Sequence, residues 1–254
     1  MPRPRIGLLG CGNIGRIIAR RGAGLNVVAV YDRHPERARQ VGDALGARVH
    51  SGIDAFVADD FEVLVEAASV AAVSEVAARA LGHGKDLVVL SAGALGEVAF
   101  RQELEALARE RGRRIRIPSG ALFGLDNLKV AQISRLERIT LHTTKHPRAL
   151  GVEAHERTRL FCGSAPQCIA QFPRNANVAV ALGIATGTEI EVEIWADPEA
   201  RENVHMVYAT GEFGEVQIQV SNLPSPENPA TSYLAALSAI TLLKALDAPL
   251  VVGT

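Results

Sequence analysis

Ile6-Gly7-Leu8-Leu9-Gly10-Cys11-Gly12-Asn13-Ile14-Gly15 decides how this chain is read. A short apolar strand runs into a tight glycine turn, and the turn opens a helix. Gly10 permits the turn, Gly12 lets the backbone approach a pyrophosphate, and Gly15 lets the helix pack closely on the strand. The free amides at the helix start attract phosphate oxygens. Outward from the loop come a helical segment to about Gly22, a second apolar strand Val27-Val28-Ala29-Val30, and Asp32, twenty positions beyond Gly12. That order of strand, glycines, helix, strand and acid is the dinucleotide-binding signature. Gly10, Gly12, Asn13, Ile14 and Gly15 are the expected phosphate-loop contacts. Asp32 should accept the adenosine ribose hydroxyls, while Arg33 beside it could meet a 2′-phosphate, so the pair leans to NAD and admits NADP.

The βα pattern continues. Pro35 opens a helix to Leu45, and Phe61-Glu62-Val63-Leu64-Val65-Glu66-Ala67-Ala68 is a further buried strand, with Ser69 at its edge and a helix from about Val73 to Leu81. Lys85 to Leu90 repeats the pattern and ends in Ser91-Ala92-Gly93-Ala94; a helix Val98 to Arg111 and the strand Arg114 to Ile117 complete the series. Ligands of an open parallel sheet lie beyond the carboxyl ends of its strands. Small residues there, Ala68, Ser69, Ser91 and Ala92, leave room for ribose and nicotinamide.

After Pro118 the period changes. Arg138 to Thr143 and Glu189 to Ile194 alternate, which marks half-buried strands of an antiparallel sheet with one open face. Asn175 or Asn177 opens an apolar helix to about Ala185, ended near Gly187. Asp197-Pro198 forms a turn, and Val204 to Tyr208 pairs with Val216 to Val220 as a hairpin around Gly211-Glu212-Phe213-Gly214. Period two groups Val204, Met206 and Tyr208 on one face. With that bulky face packed, His205, Gln217 and Gln219 would line a cleft opposite the cofactor. Asn228-Pro229 reads as the start of a last helix to about Leu246, and Thr231 and Ser232 near that start could receive a substrate carboxylate.

The fold expected is thus α/β: a Rossmann-type doubly wound parallel sheet plus a second α+β domain with an open-faced antiparallel sheet. Residues 1–118, completed by the C-terminal helix at about 229–254, form the dinucleotide-binding domain, and 119–228 the substrate domain. At 254 residues and 48% hydrophobic content the chain can build a proper core. A net charge of −1 without charged blocks gives no case for nucleic acid or a membrane surface. Three cysteines without metal-ligand spacing suit free thiols in a cytoplasmic protein, and no metal is expected. No run approaches the roughly 20 apolar residues of a membrane span. The open sheet face suggests a homodimer.

Several segments together resemble the L-aspartate dehydrogenase family: the glycine loop, Pro118-Ser119-Gly120-Ala121, Phe172-Pro173-Arg174-Asn175-Ala176-Asn177-Val178-Ala179, Ala196-Asp197-Pro198 with Glu202-Asn203-Val204-His205, and Gly211-Glu212-Phe213-Gly214. The resemblance spans nearly the whole chain. It implies NAD(P)-dependent oxidative deamination of L-aspartate to iminoaspartate, which hydrolyses to oxaloacetate and ammonia, and a link to NAD biosynthesis. It also implies that Ala121 and Asn177 touch the cofactor, with Asn177 near the substrate as well, and that His205 is catalytic. A histidine suits proton exchange near neutrality. Arg174 and Lys145 are further candidates for substrate carboxylates. Two departures bear on substrate choice: Gln167 stands where the family carries glutamate, and Ala230 where it carries lysine. The alternatives are a reductase of another imine, or a dehydrogenase of another small amino or dicarboxylic acid, and a non-catalytic NAD-binding sensor. The paired-histidine and lysine signature of dihydrodipicolinate reductases is absent.

Overall fold

Apolar runs closed by glycine or small polar residues become the strands of the first sheet. In the computed structural model, which describes residues 3–172, 176–225 and 228–253 and only the backbone of 228–230, the chain separates into two compact units. One comprises Met1–Pro118 with Ala236–Val251, the other Ser119–Ala235 with Val252–Thr254.

In the first unit β1 (Arg5–Leu9), α1 (Asn13–Arg21), β2 (Asn26–Tyr31), α2 (Pro35–Leu45), β3 (Arg48–Val49), α3 (Ile53–Ala58), β4 (Val63–Glu66), α4 (Val70–Gly82), β5 (Asp86–Val89), α5 (Val98–Glu110) and β6 (Ile115–Arg116) follow one another. All pairings are parallel and the strand order is β3-β2-β1-β4-β5-β6. The order reverses at β1, which places the loop after β1 at the switch point where such sheets bind dinucleotides. The central strands are apolar on both faces because helices cover both. Ile6, Leu8, Leu64 and Leu87 are at most 1% exposed, each burial contributing about 1.5–3 kcal/mol. The strand β3 and helix α3 were not expected. Two exposed residues and a six-residue helix carry too little periodic pattern to be read.

The second unit contains β7 (Leu136–Lys145), α6 (Pro147–Leu150), β8 (Thr158–Ser164), α7 (Ala165–Gln171), α8 (Asn177–Thr186), β9 (Glu191–Ala196), β10 (Asn203–Gly211), β11 (Gly214–Asn222), β12 (Pro224–Ser225) and β13 (Asn228–Ser232). Its main sheet has the order β11-β10-β7-β9-β8. The sheet is mixed rather than wholly antiparallel: β7 and β9 run parallel, Thr140 opposite Glu191, because β8, α7 and α8 intervene between them. The hairpin holds, with Gly211 opposite Gly214, and Gly214 at φ +100° makes the turn. Gln132 Nε2 donates to Ala185 O at 2.7 Å, and Gly187 in the left-handed region ends α8.

Two expectations are corrected here. The packed face of β10 carries His205, Val207 and Ala209, whereas Val204, Met206 and Tyr208 lie half-exposed on the other side. Met206 pairs with Gln219 and Tyr208 with Gln217, so these glutamines share the outer face and are not beside His205. Size does not decide burial in this strand: the Tyr208 ring lies tilted against the half-exposed His142 ring, 5.6 Å away, while the smaller Val207 and Ala209 are buried. The last helix, α9 (Tyr233–Ala245), starts five residues after Asn228, because Pro224–Ser225 and Asn228–Ser232 pair as β12 and β13 instead of letting Asn228-Pro229 start the helix. Among the described residues no helix is long and apolar enough to cross a membrane.

Candidate functional site

The glycine loop has the shape its composition requires. Gly10 lies at φ +98°, and a Cβ there would meet Ala67 O at 2.6 Å. A Cβ on Gly15 would sit 2.1 Å from Gly10 O, so only glycine lets α1 approach the turn this closely. A Cβ on Gly12 would meet nothing within 4 Å, which leaves the space over the loop open for a group to approach the backbone. No side chain caps α1 at Gly12, so the positive end of the helix is presented to that space. Asn13 and Ile14, both partly exposed, form its first turn.

Asp32 follows β2. Its Oδ2 accepts from Cys11 N at 2.7 Å and its Oδ1 from His34 N at 2.8 Å. A carboxylate has about four acceptor positions, so two amide bonds orient Asp32 and leave capacity for ribose hydroxyls. Arg33 is exposed beside it. Open space at Gly12, an uncapped helix start and an oriented acid at the end of β2 fit a dinucleotide. Cys11 is buried, and burial, helped by the Asp32 charge, pushes its thiol up to about 12, so it stays protonated.

The small residues beyond β4 and β5 divide. Ala68 and Ser69 are exposed, and Ser69 Oγ accepts from Ala72 N at 3.2 Å to cap α4. Ser91 turns inward to Glu66, donating from N and from Oγ at 2.9 Å each, and Ala92 is buried. Glu66, which the sequence reading took as part of an apolar strand, also accepts from Ala68 N at 2.7 Å. Burial raises its pKa against these hydrogen bonds. The signal was a lone carboxylate ending an apolar run. One buried acid thereby fixes the loops after two neighbouring strands.

In the second unit His205 is 3% exposed on the packed face of β10, directly opposite Thr143 of β7. Its Nδ1 lies 3.0 Å from Thr143 Oγ1. Burial, and secondarily the charge of Lys145, holds the imidazole down at about 3, so the ring is neutral around pH 7. Lys145, two residues beyond Thr143 on the same face, is 6% exposed, and burial lowers its ammonium to about 8. Asn203 and Asn222 pair across β10 and β11 on this face and are buried as well. Asn222 Nδ2 donates to Ala121 O at 3.0 Å. Thr143, Lys145, Asn203, His205 and Asn222 therefore form a buried polar patch in a sheet face that is otherwise apolar. Period two could have found Asn203 beside His205. It could not have found Thr143 or Asn222, which are set by strand register.

Of the other expected residues, Ala121 is buried and Asn177 is the first, partly exposed residue of α8. Thr231 is partly exposed and Ser232 buried at the end of β13, just ahead of α9. Pro173, Arg174 and Asn175 lie outside the described residues, as does the side chain of Ala230. Gln167 Oε1 accepts from Ser164 N at 2.9 Å, a helix-start role that glutamine fills as glutamate would. Among the described residues Cys162, Glu191 and Glu193 come close enough to share an ion. Glu193 already accepts from Trp195 Nε1 at 2.7 Å and Arg159 at 3.1 Å, and Cys162 and Glu191 are exposed, as is common for such groups without a metal.

Comparison with known proteins places both units. Residues 10–118 match the homoserine dehydrogenase NAD binding domain model, and residues 126–246 the aspartate dehydrogenase C-terminal model. The L-aspartate dehydrogenase of Methanospirillum hungatei is 52% identical over 250 residues, covering 98% of this chain and 99% of that one. That of Methanocaldococcus jannaschii is 38% identical over 98% and 99%. The crystal structure of aspartate dehydrogenase from Thermotoga maritima superposes with a TM-score of 0.84 at 26% identity, over 99% of this chain and all of that one. With sequence similarity running end to end through both units, the chain belongs to the L-aspartate dehydrogenase family.

Proposed function

We propose that this chain oxidises L-aspartate with NAD(P) and water to oxaloacetate, ammonium, NAD(P)H and a proton, by way of iminoaspartate. The observation that carries the reading is the 52% identity to an L-aspartate dehydrogenase over 98% of the chain. The dinucleotide is held by Gly10, Gly12, Asn13, Ile14, Gly15 and Asp32 with Ala68 and Ser69, in a domain of residues 1–118 completed by the C-terminal helix. Residues 119–228 supply catalysis and substrate binding, together with Thr231 and Ser232 just beyond them. When bound, the nicotinamide supplies a hydride acceptor for the substrate Cα.

His205 handles protons. The ammonium of aspartate must lose a proton before nitrogen can push electrons into the forming imine, and water attack on the imine moves another. Nδ1 is 3.0 Å from Thr143 Oγ1; in the tautomer whose Nδ1–H donates to that hydroxyl, Nε2 carries the lone pair that accepts them. Ala121 and Asn177 fix the nicotinamide, and Asn177, Thr231 and Ser232 hold the substrate. Ser91 and Ala92 belong to the cofactor-binding edge of the first unit, Ser91 held by Glu66 and Ala92 in the packed turn that follows β5. Asp32, already oriented by two amides, favours NAD over NADP because a carboxylate repels a 2′-phosphate.

In the cell the product imine would feed pyridine-nucleotide synthesis. Free Cys11, Cys162 and Cys168 support a cytoplasmic setting, and the half-exposed Trp195, Met206 and Tyr208 of the second sheet support a homodimer. The deciding experiment follows nicotinamide reduction with L-aspartate, L-glutamate, L-alanine and L-malate, each with NAD and NADP. Selective reduction with L-aspartate is expected. Selective reduction with another substrate would replace aspartate in the reading, and dinucleotide binding without turnover of any amino acid would leave only a sensor.

A further inference from the structure

We propose that Lys145 is the specificity-determining residue of this site, its buried ammonium receiving the side-chain carboxylate of the dicarboxylic amino acid. The inference rests on the aspartate reading above and assigns the group that selects a second carboxylate. Strand geometry places it. Thr143 stands opposite His205, and Lys145 follows two residues along β7, one pleat repeat or roughly 7 Å farther on the same face. An amino acid whose nitrogen meets His205 can thus extend its side-chain carboxylate along the face toward Lys145.

The surroundings at that end are built for a polar ligand. Asn203 and Asn222 bring two buried amides to the same end of the face, at 2% and 3% exposure. Asn222 uses Nδ2 on Ala121 O, but its buried Oδ1 has no hydrogen-bond partner. A buried acceptor left open costs free energy unless a donor arrives; the substrate carboxylate cannot supply it, but the ammonium, with three N–H donors, can bond Asn222 Oδ1 as well as His205. Burial disfavours the charge of the Lys145 ammonium, and that charge in turn disfavours protonation of His205. A carboxylate arriving beside Lys145 offsets both effects. The hydroxyls of Thr231 and Ser232, neutral donors, remain for the carboxylate on Cα.

Lys145→Met keeps the length and the apolar stem and removes the charge. Losing one charge-assisted hydrogen bond should raise KM for L-aspartate about 10- to 100-fold, with a smaller effect on kcat. L-Asparagine keeps both groups on Cα but has no side-chain charge, so the preference for aspartate over asparagine should fall by the same factor. A purely structural lysine would not move that ratio. Titration calorimetry with succinate should show the same weakening, while NAD affinity and the unfolding transition confirm an intact protein. Unchanged KM and preference, or equal losses on aspartate and asparagine, would overturn the assignment. Lys145-dependent succinate binding in a wild-type enzyme that does not oxidise aspartate would uphold Lys145 and overturn the aspartate reading alone.

Discussion

Thr143→Val tests whether the bond to His205 serves catalysis or only folding. Valine has the shape of threonine, so the substitution opens no cavity in a face where both residues are 3% exposed. What it removes is the 3.0 Å contact between Oγ1 and Nδ1. The imidazole nitrogen is then buried without that partner, at a cost of about 1–3 kcal/mol. Part of this should appear as lost stability in urea unfolding. The ring also loses the contact that fixes its tilt. If the full cost is felt in the transition state, turnover falls roughly 5- to 150-fold. The assay is steady-state kcat and kcat/KM with L-aspartate, beside NAD affinity by fluorescence and the unfolding midpoint. Thr143→Ser, which keeps the hydroxyl, should recover most of the activity. A valine variant that loses stability but turns over within twofold of wild type would refute a positioning role for Thr143.

Three further outcomes follow from the same geometry. His205→Ala should lose about 10²- to 10⁴-fold in turnover with NAD affinity near wild type, since the glycine loop is untouched; near-normal turnover from pH 6 to 9 would remove His205 as the acid–base group. Asp32→Ala should weaken NAD and shift the affinity ratio toward NADP, an unchanged ratio counting against Asp32 as the ribose receptor. Because burial holds His205 at about 3 against its ordinary 6.5, the unfolded chain binds more protons between those values. Its contribution is complete above about pH 6.5 and is lost as pH falls toward 3, at up to about 1.4 kcal/mol per pH unit. His205→Gln should therefore show a shallower loss of stability with acid, and superimposable profiles would show that His205 is not neutral in the folded state.

The first unit was legible because its strands and helices obey simple periods and its loop obeys a spacing rule. Gly10, Gly12, Gly15 and Asp32 stand where glycine stereochemistry and the switch point of the sheet require them. The second unit was legible as strands but not as a sheet. Alternation says that two faces differ; it does not say which is packed, nor whether a neighbour runs parallel. Hence Gln217 and Gln219 were assigned to the wrong side, and the parallel pairing of β7 with β9 went unseen. The start signal at Asn228-Pro229 failed for a related reason, since pairing with β12 outweighed a local capping preference. Thr143, Asn222 and Glu66 were missed as site-building residues because their partners lie 62, 101 and 25 positions away in the chain. No local pattern encodes such contacts.

That long-range assembly bears on how the histidine can work at all. A general base is most effective when its pKa lies near the working pH. Held at about 3 by burial and by Lys145, His205 has the right protonation state near neutrality but little drive to accept a proton. Both causes are electrostatic, and both are altered by a ligand that carries negative charge. Aspartate brings two carboxylates and one ammonium. Placed on this patch, a carboxylate beside Lys145 cancels the repulsion felt by the ring and favours its protonated form. A neutral amino acid side chain would leave the lysine charge in place and the ring weakly basic. The same interaction would then serve selection and catalysis: a substrate lacking the second carboxylate binds less tightly and also meets a poorer base. For this reason kcat with L-asparagine should fall below kcat with L-aspartate in the wild type. In Lys145→Met kcat with L-asparagine should rise toward the wild-type value with L-aspartate, because the lysine charge that depresses His205 is gone.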